Sequence, residues 1–259
     1  MFYENVGHTQ ESAQELKVLF GGKNFFDNPK PLRLMQHLLI LANTKPDSII
    51  LDFFSGSATT AHAVMQLNAK DSGKRKFIMV QLPEKTNESS EAFNAGCKTI
   101  ADIGKERILR AGEKIRAENP GADFDCGFRV FRVDESNMKD VDLSPAETKQ
   151  EDLIALAENI KEDRTDLDLL YDAIIRLGLP LSLPHRKEII GKNTVHMVNG
   201  KALVACFDHN IPEATIRKIA ELQPINAVFR DSSFADSAAK INGLEIFKTI
   251  SPHSNVKVL

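Results

Sequence analysis

Residues 51–60, LDFFSGSATT, constrain the fold of this chain more than any other segment. An apolar run meets an acid at Asp52, small residues follow around Gly56, and a helical pattern begins at Thr59. Small residues let a ligand approach the backbone closely, and the free N–H groups at a helix start attract a carboxylate or phosphate. The segment therefore predicts a strand–loop–helix corner of the kind at which open α/β sheets bind ligands.

The patterns on both sides of this corner predict a βαβ unit preceded by a helix. Apolar residues recur at helical spacing after Pro31, and residues 59–67 repeat that spacing. Residues 49–54 and 77–82 are short apolar runs, which is typical of buried parallel strands. Strand–helix–strand units have a right-handed crossover and form parallel sheets, so we expect an α/β fold with a parallel sheet.

The rest of the chain predicts a further helix and strand and then a second, smaller α/β domain. We expect a helix at 99–117 and an alternating strand at 126–133, followed by an acidic polar boundary. Asn199-Gly200 is a strong hairpin signal between two apolar runs. Around that hairpin we expect helices at 153–160, 167–177, 212–222 and 235–250 and strands at 195–198, 202–207, 227–230 and 256–259. The predicted domains are 1–135, a linker at 136–165, and 166–259.

Composition excludes several functional classes. The net charge is −3, so the whole chain is not a basic nucleic-acid clamp. The three cysteines are widely spaced, which argues against a disulfide framework and against a CxxC metal site. There is no signal peptide pattern and no apolar run of about 18 residues. We therefore expect a cytoplasmic protein with no metal and no membrane contact.

Taken alone, the corner favours a nucleotide-type ligand over a purely structural turn. Gly56 is its only glycine, so the segment is not the GxGxxG fingerprint of dinucleotide sites. No Gly-Lys-Ser/Thr follows, so it is not a P-loop either. Both absences make NAD and ATP less favoured ligands.

Several motifs resemble one family. LDFFSGSATT is similar to the Asp-x-Phe-x-Gly-Ser-Gly-Thr-Thr motif of DNA amino-methyltransferases acting on adenine N6 or cytosine N4. FFDNPKPLRLMQHLLILA resembles the Lys-Pro-plus-helix motif that precedes it in the β class. KRKFIMVQLPEKT, TIADIGKERILRAGEKI, CGFRVFRVDESN and VFRDSSFADSAAKINGLEIF resemble the Mod subunits of type III restriction–modification systems. The resemblance covers nearly the whole chain and is to the C-terminal portion of an adenine-N6 methyltransferase.

The resemblance implies a Rossmann-like methyltransferase fold and a cofactor, S-adenosylmethionine, whose methionine end the corner holds. The implied cofactor-binding residues are Lys30, Pro31, Asp52, Phe53, Phe54, Ser55, Gly56, Ser57, Thr59 and Gln81. Gln81 stands where relatives usually carry an acid for the ribose hydroxyls, and Glu84 is an alternative. Ala58 replaces a second glycine, so we expect negative φ there, and we expect the threonines to cap the helix.

The catalytic motif of this family, Asp/Asn/Ser-Pro-Pro-aromatic, receives the flipped base. The sequence contains no Pro-Pro dipeptide. In the β class that motif and the base-reading region come before the Lys-Pro segment. We therefore expect no catalytic residue in this chain, which looks truncated and inactive by itself.

Three functions stay open. The first is the cofactor-binding part of a DNA adenine-N6 methyltransferase, which contacts DNA through the full subunit. The second is a non-catalytic assembly module, in which residues 151–259 bind a second Mod copy or the restriction subunit and the corner is vestigial. The third is another Rossmann-type nucleotide enzyme. We expect the histidines near the corner, His37 and His62, to be structural rather than general bases, and the cations of the long helix, Lys105, Arg107 and Arg110, to be solvated.

Overall fold

The computed structural model of the protein describes residues 6–139 and 159–259. The chain divides into two compact units, Met1–Phe128 and Arg129–Leu259, each with its own apolar core. The helix expected at 153–160 and most of the expected linker lie outside the described residues. Both units mix helices with strands, as the sequence predicts.

The first unit places helices before, between and after two short strands. In chain order the elements are α1 (Thr9–Leu19), α2 (Leu32–Leu41), β1 (Ile49–Asp52), α3 (Thr59–Asp71), β2 (Lys76–Met79), α4 (Glu91–Asn94) and α5 (Ile100–Glu118). The helices and strands predicted between residues 31 and 117 are confirmed, with bounds shifted by a few residues. Helix α1 was not predicted because it is mostly polar and buries only Ser12 and Leu16.

The strands β1 and β2 pair in parallel and are joined by α3, which confirms the predicted strand–helix–strand unit. Asp52 at the end of β1 lies opposite Met79 at the end of β2. One face of this pair packs on helices: Ile50 and Phe77 join the cluster of Leu39 and Val64.

The other face of β1 and β2 is open to solvent in the described structure. Ile49, Leu51 and Ile78 are 65%, 58% and 51% exposed. The prediction that both strands are buried is therefore wrong for this face. An apolar run does not specify what covers it, and the described residues cover only the face on which α3 lies.

Helix α5 begins with a capping box, in which the Thr99 hydroxyl accepts from the Asp102 N–H and the Asp102 carboxylate accepts from the Thr99 N–H. Such boxes stabilise a helix start by about 1 kcal/mol. The apolar face of α5, with Ile108 and Ile115, packs against Ala61 and Met65 of α3. The two helices form the core directly beneath the corner.

The strand predicted at 126–133 is wrong, because this segment pairs with no strand in the described structure. Its alternation has another cause. Phe124, Cys126 and Phe128 pack on the α5 core, whereas the residues between them face away. A period of two therefore reports side-chain packing here and not a hydrogen-bonded ladder.

The second unit is a five-stranded mixed sheet with helices on both faces. Its elements are α6 (Asp166–Arg176), β3 (His185–Ile190), β4 (Asn193–Val198), β5 (Leu203–Cys206), α7 (Glu213–Glu221), β6 (Asn226–Phe229), α8 (Ser237–Ile250) and β7 (Asn255–Val258). The order is β3-β4-β5-β6-β7, with antiparallel pairs up to β5 and parallel pairs after it.

The core of the second unit follows the alternation of its strands. Leu203 and Val198 pack with α6, whereas Val204 and Phe229 pack with α7 and α8. The predicted hairpin is confirmed, and both Asn199 and Gly200 take positive φ, 46° and 66°. The loop between β4 and β5 spans residues 199–202, and Asn and Gly are the residues that most readily adopt this left-handed conformation. Strand β3 was not predicted, since its sequence HRKEII carries only two apolar residues.

Candidate functional site

The corner at residues 51–60 has the predicted form of a strand, a loop and a helix. Strand β1 ends at Asp52, residues 53–58 form the loop, and α3 begins at Thr59. The loop is tied to the segment after β2, because the Val80 N–H donates to Asp52 O at 2.9 Å and the Ser55 N–H donates to Val80 O at 3.1 Å. The loop therefore leaves the sheet at the carboxyl ends of both strands, next to the start of α3.

The Asp52 carboxylate is held on both oxygens. Its Oδ2 accepts from the Thr60 hydroxyl at 2.5 Å, and its Oδ1 accepts from the Phe54 N–H at 3.3 Å. The Thr60 hydroxyl therefore donates to Asp52 at the end of β1 and does not cap the helix. The N-cap position is Ala58, which has no side-chain cap, so the prediction of threonine caps is wrong. The first N–H groups of α3 lack intrahelical partners, and free N–H groups at a helix start can bind an anion.

The loop contains two left-handed positions, which are separated by one residue, Ser57. Gly56 has φ of 51° and Ala58 has φ of 59°. The prediction of negative φ at Ala58 is therefore wrong. A non-glycine residue in this region costs about 1–2 kcal/mol, so the surroundings must impose the conformation. Ala58 is fully buried, and its N–H donates to Ser55 O at 2.7 Å.

Gln81 lies beside the loop, two residues after the end of β2. Its Oε1 accepts from the Gly56 N–H at 2.8 Å, and its Nε2 donates to Leu82 O at 3.3 Å. The side chain that the resemblance assigns to the ribose is therefore in contact with the loop and half-buried. Glu84 is exposed.

Arg107 is the residue at this site that the sequence argument missed. It was interpreted as solvated, yet it is only 2% exposed. Its Nη1 donates to Ser57 Oγ at 3.0 Å and to Thr59 Oγ1 at 2.6 Å. Burial lowers the pKa of this guanidinium to about 10, so it stays charged at neutral pH. The available signal was position, since Arg107 lies next to Ile108 on the buried face of α5.

The other two α5 cations that were interpreted as solvated are partly exposed, in line with that interpretation. Lys105 forms an ion pair with Asp102, and Arg110 forms one with Glu106. Such pairs at the surface contribute little to stability. Arg107 is thus the cation of this group that acts on the corner.

The remaining predicted residues lie at the edge of the corner or on its surface. Phe53 and Phe54 are exposed, with ring centroids 5.8 Å apart. Pro31 is buried as the N-cap residue of α2, and Lys30 is exposed. Neither takes part in the hydrogen bonds just described. Phe26, which was not predicted, approaches the loop: its Cζ lies 3.5 Å from where a Gly56 Cβ would stand.

Two other classes of site are not found in the described residues. Across 6–139 and 159–259, no three His, Cys, Asp or Glu side chains are grouped as a metal site would require. No helix in these ranges is both long enough and apolar enough to span a bilayer.

The corner lies within the residues that match the model of a known protein family. The family model for DNA methylase matches residues 3–92, which include α1 to β2 and the whole loop. The Mod subunit of the type III restriction–modification enzyme StyLTI of Salmonella typhimurium strain LT2 is 44% identical over 131 residues, 51% of this chain and 20% of that protein. The EcoPI Mod subunit of Escherichia phage P1 is 29% identical over 99% of this chain and 39% of its own length. The chain is a homologue of type III Mod subunits.

Two of these relatives, the EcoPI and EcoP15I Mod subunits, match the chain over both of its units. The EcoP15I Mod subunit of Escherichia coli is 29% identical over 95% of the chain and 37% of its own length. The chain therefore spans about two fifths or less of the length of these relatives. The resemblance seen in the motifs is confirmed for the family, over part of the full-length proteins.

Proposed function

We propose that this chain is the S-adenosylmethionine-binding part of a DNA adenine-N6 methyltransferase of the type III class. One observation carries the proposal: a strand end with a held carboxylate, a left-handed loop and an open helix start lie together inside the stretch matched by the DNA methylase model. The cofactor supplies a methyl group on sulfonium, which an exocyclic amine of a base can accept directly.

The residues that we assign to the methionine end are Asp52 and the loop to Thr59. S-adenosylmethionine carries an ammonium and a carboxylate at this end. The Asp52 carboxylate is oriented by Thr60 and by the Phe54 N–H, and it keeps lone pairs that an ammonium can contact. The first N–H groups of α3 suit the carboxylate. The loop backbone supports close approach, because Gly56 has no side chain.

Gln81 is proposed to contact the ribose by its amide group while it holds Gly56. An amide oxygen has two lone pairs, so one can accept from the loop and the other from a ribose hydroxyl. Lys30 and Pro31 are proposed to border the site at the start of α2, and Phe53 and Phe54 to flank the ligand. The neutral Gln81 gives a weaker hydrogen bond than a carboxylate would.

We infer that methyl transfer needs residues that this sequence lacks, because it has no Pro-Pro-aromatic motif to receive a base. DNA contact, a second Mod copy and a restriction subunit are proposed as partners of the full subunit, in the cytoplasm. Purified chain incubated with DNA and radiolabelled cofactor should transfer no methyl groups. Methylation above background would contradict this part of the proposal.

Calorimetric titration of the purified chain with S-adenosylmethionine, NAD and ATP tests the binding function. We expect a single site for S-adenosylmethionine and no heat for the other two. Binding of NAD or ATP in preference would indicate another nucleotide enzyme.

An assembly module is the second candidate, and the open apolar face of β1 and β2 favours it. Exposed apolar patches are typical of protein contacts. Sedimentation equilibrium of the same sample decides between the two. A stable oligomer that binds no cofactor would support the assembly function, whereas a cofactor-binding monomer would not.

A further inference from the structure

The loop of the candidate site rests on α5, and two residues of that helix touch it. Gly104 and Arg107 are three residues apart and therefore lie on one face of the helix. A Cβ added at Gly104 would stand 3.3 Å from Gly56 O and 3.5 Å from the Ala58 Cβ. Glycine at 104 thus lets α5 approach the two left-handed positions of the loop.

Arg107 reaches the same loop one turn further along α5. Its Nη1 donates to the hydroxyls of Ser57 and Thr59, which flank Ala58, and lies 3.5 Å from Ser57 O. Both hydroxyls are themselves buried. The guanidinium therefore holds the loop from below, on the side away from solvent, and fixes the residues that lead into α3.

The charge of Arg107 is only partly compensated within the described residues. It forms no ion pair with a carboxylate there, although the more distant Glu15 favours its charged form. Its Nε is buried without a hydrogen-bond partner in that part of the chain. A buried charge is costly unless it is paired, so an anionic group near the loop would complete the site.

The positive field reaches the first turn of α3. His62 lies in that turn, and its pKa is lowered to about 3 by burial and by the field of Arg107, with a smaller effect of Lys114. The helix dipole has the same sign at this end. The start of α3 is thus positive for two separate reasons.

We propose that Arg107 is a positioning residue that selects the carboxylate of the cofactor, by holding Ser57 and Thr59 in place and by adding its buried charge to the α3 N-terminus. This inference rests on the proposed function. It predicts that Arg107 affects the binding of the cofactor carboxylate and not of the rest of the ligand. A purely structural arginine would affect all ligands of the site alike.

The test compares S-adenosylmethionine with its decarboxylated form, which keeps the sulfonium and the amine. We expect the wild-type chain to bind the carboxylated ligand roughly tenfold more tightly, as expected for one charge pair at partial screening. Arg107→Met should lower the affinity for S-adenosylmethionine and reduce this preference severalfold, leaving the part that the N-terminus of α3 contributes. Arg107→Lys should keep most of the preference, because it keeps a positive charge at this buried position.

Two control variants separate positioning from general effects. Arg110→Met removes a charge from α5 without touching the loop, and Ile115→Ala weakens the core of the same helix. Both should keep the preference for the carboxylated ligand. If Arg107→Met does not fold, Thr59→Val removes the 2.6 Å contact at nearly constant volume and should reduce the preference severalfold.

The outcomes are distinct. An unchanged preference in Arg107→Met, or in Thr59→Val if the former does not fold, would overturn the role of Arg107 and leave the proposed function standing. If the wild-type chain binds neither S-adenosylmethionine nor its decarboxylated form, the proposed function is overturned and this inference with it. A preference that falls severalfold in Arg107→Met and is kept in Arg110→Met and Ile115→Ala supports both the proposed function and this inference.

Discussion

Acid should weaken the first unit through one buried side chain, His62. It lies on α3, is 7% exposed, and its Nδ1 is buried with no hydrogen-bond partner in the described structure. Burial, followed by the positive field of Arg107, lowers its pKa from 6.5 to about 3. Between these two values the unfolded chain binds a proton that the folded chain does not, so stability is complete above pH 6.5 and falls as the pH decreases.

The magnitude follows from the shift. Each pH unit below 6.5 lowers the free energy of unfolding by about 1.4 kcal/mol, so about 2 kcal/mol is lost between pH 7 and pH 5. Hydrogen exchange of the α3 amides at the two pH values, corrected for intrinsic rates, gives the opening free energy. In His62→Gln the decrease between pH 7 and pH 5 should nearly vanish, whereas His37→Gln on α2 should retain it. An equal decrease in the wild-type chain and His62→Gln would refute this account of His62.

Three further predictions concern single residues. Ala58→Gly relieves about 1–2 kcal/mol of left-handed strain but loses a buried methyl group (~0.8 kcal/mol) and adds up to about 1 kcal/mol of unfolded-state entropy, so calorimetry should show stability within about 1 kcal/mol of wild type. A larger change would show that the loop conformation differs. Thr99→Ala removes the capping box and should cost about 1 kcal/mol in urea unfolding of the first unit; no change would contradict the box. Burial raises the pKa of Cys206 to about 12, so iodoacetamide at pH 8 should modify the half-exposed Cys126 long before it; equal rates, measured by peptide mapping, would contradict this burial.

Local patterns predicted the elements whose causes are local. The corner was predictable because an acid at a strand end, a small-residue loop and a helical repeat follow one another within residues 51–60. The hairpin was predictable because Asn199 and Gly200 accept positive φ. The capped start of α5 was predictable because Thr99 precedes a long apolar repeat.

The errors concern residues whose environment is set by distant parts of the chain. The open face of β1 and β2 cannot be read from Leu51, since burial depends on what lies across the sheet. The segment around Cys126 alternates because it packs on α5, which looks the same in sequence as a strand. Arg107 seemed solvated because charged helix positions usually are. Its position beside Ile108 on the apolar face of α5 was a signal of burial, but its contacts with Ser57 and Thr59 join segments about 50 residues apart.

The most direct test of the central claim is the affinity for S-adenosylmethionine of the wild-type chain and of Asp52→Ala, measured by calorimetry under identical conditions. We expect measurable binding by the wild-type chain. In Asp52→Ala the affinity should fall at least about tenfold, since the cofactor ammonium loses a charge-assisted partner. Asp47→Ala, a surface acid five residues upstream, should bind as the wild-type chain does. Unchanged affinity in Asp52→Ala would contradict the assignment of the corner as the cofactor site.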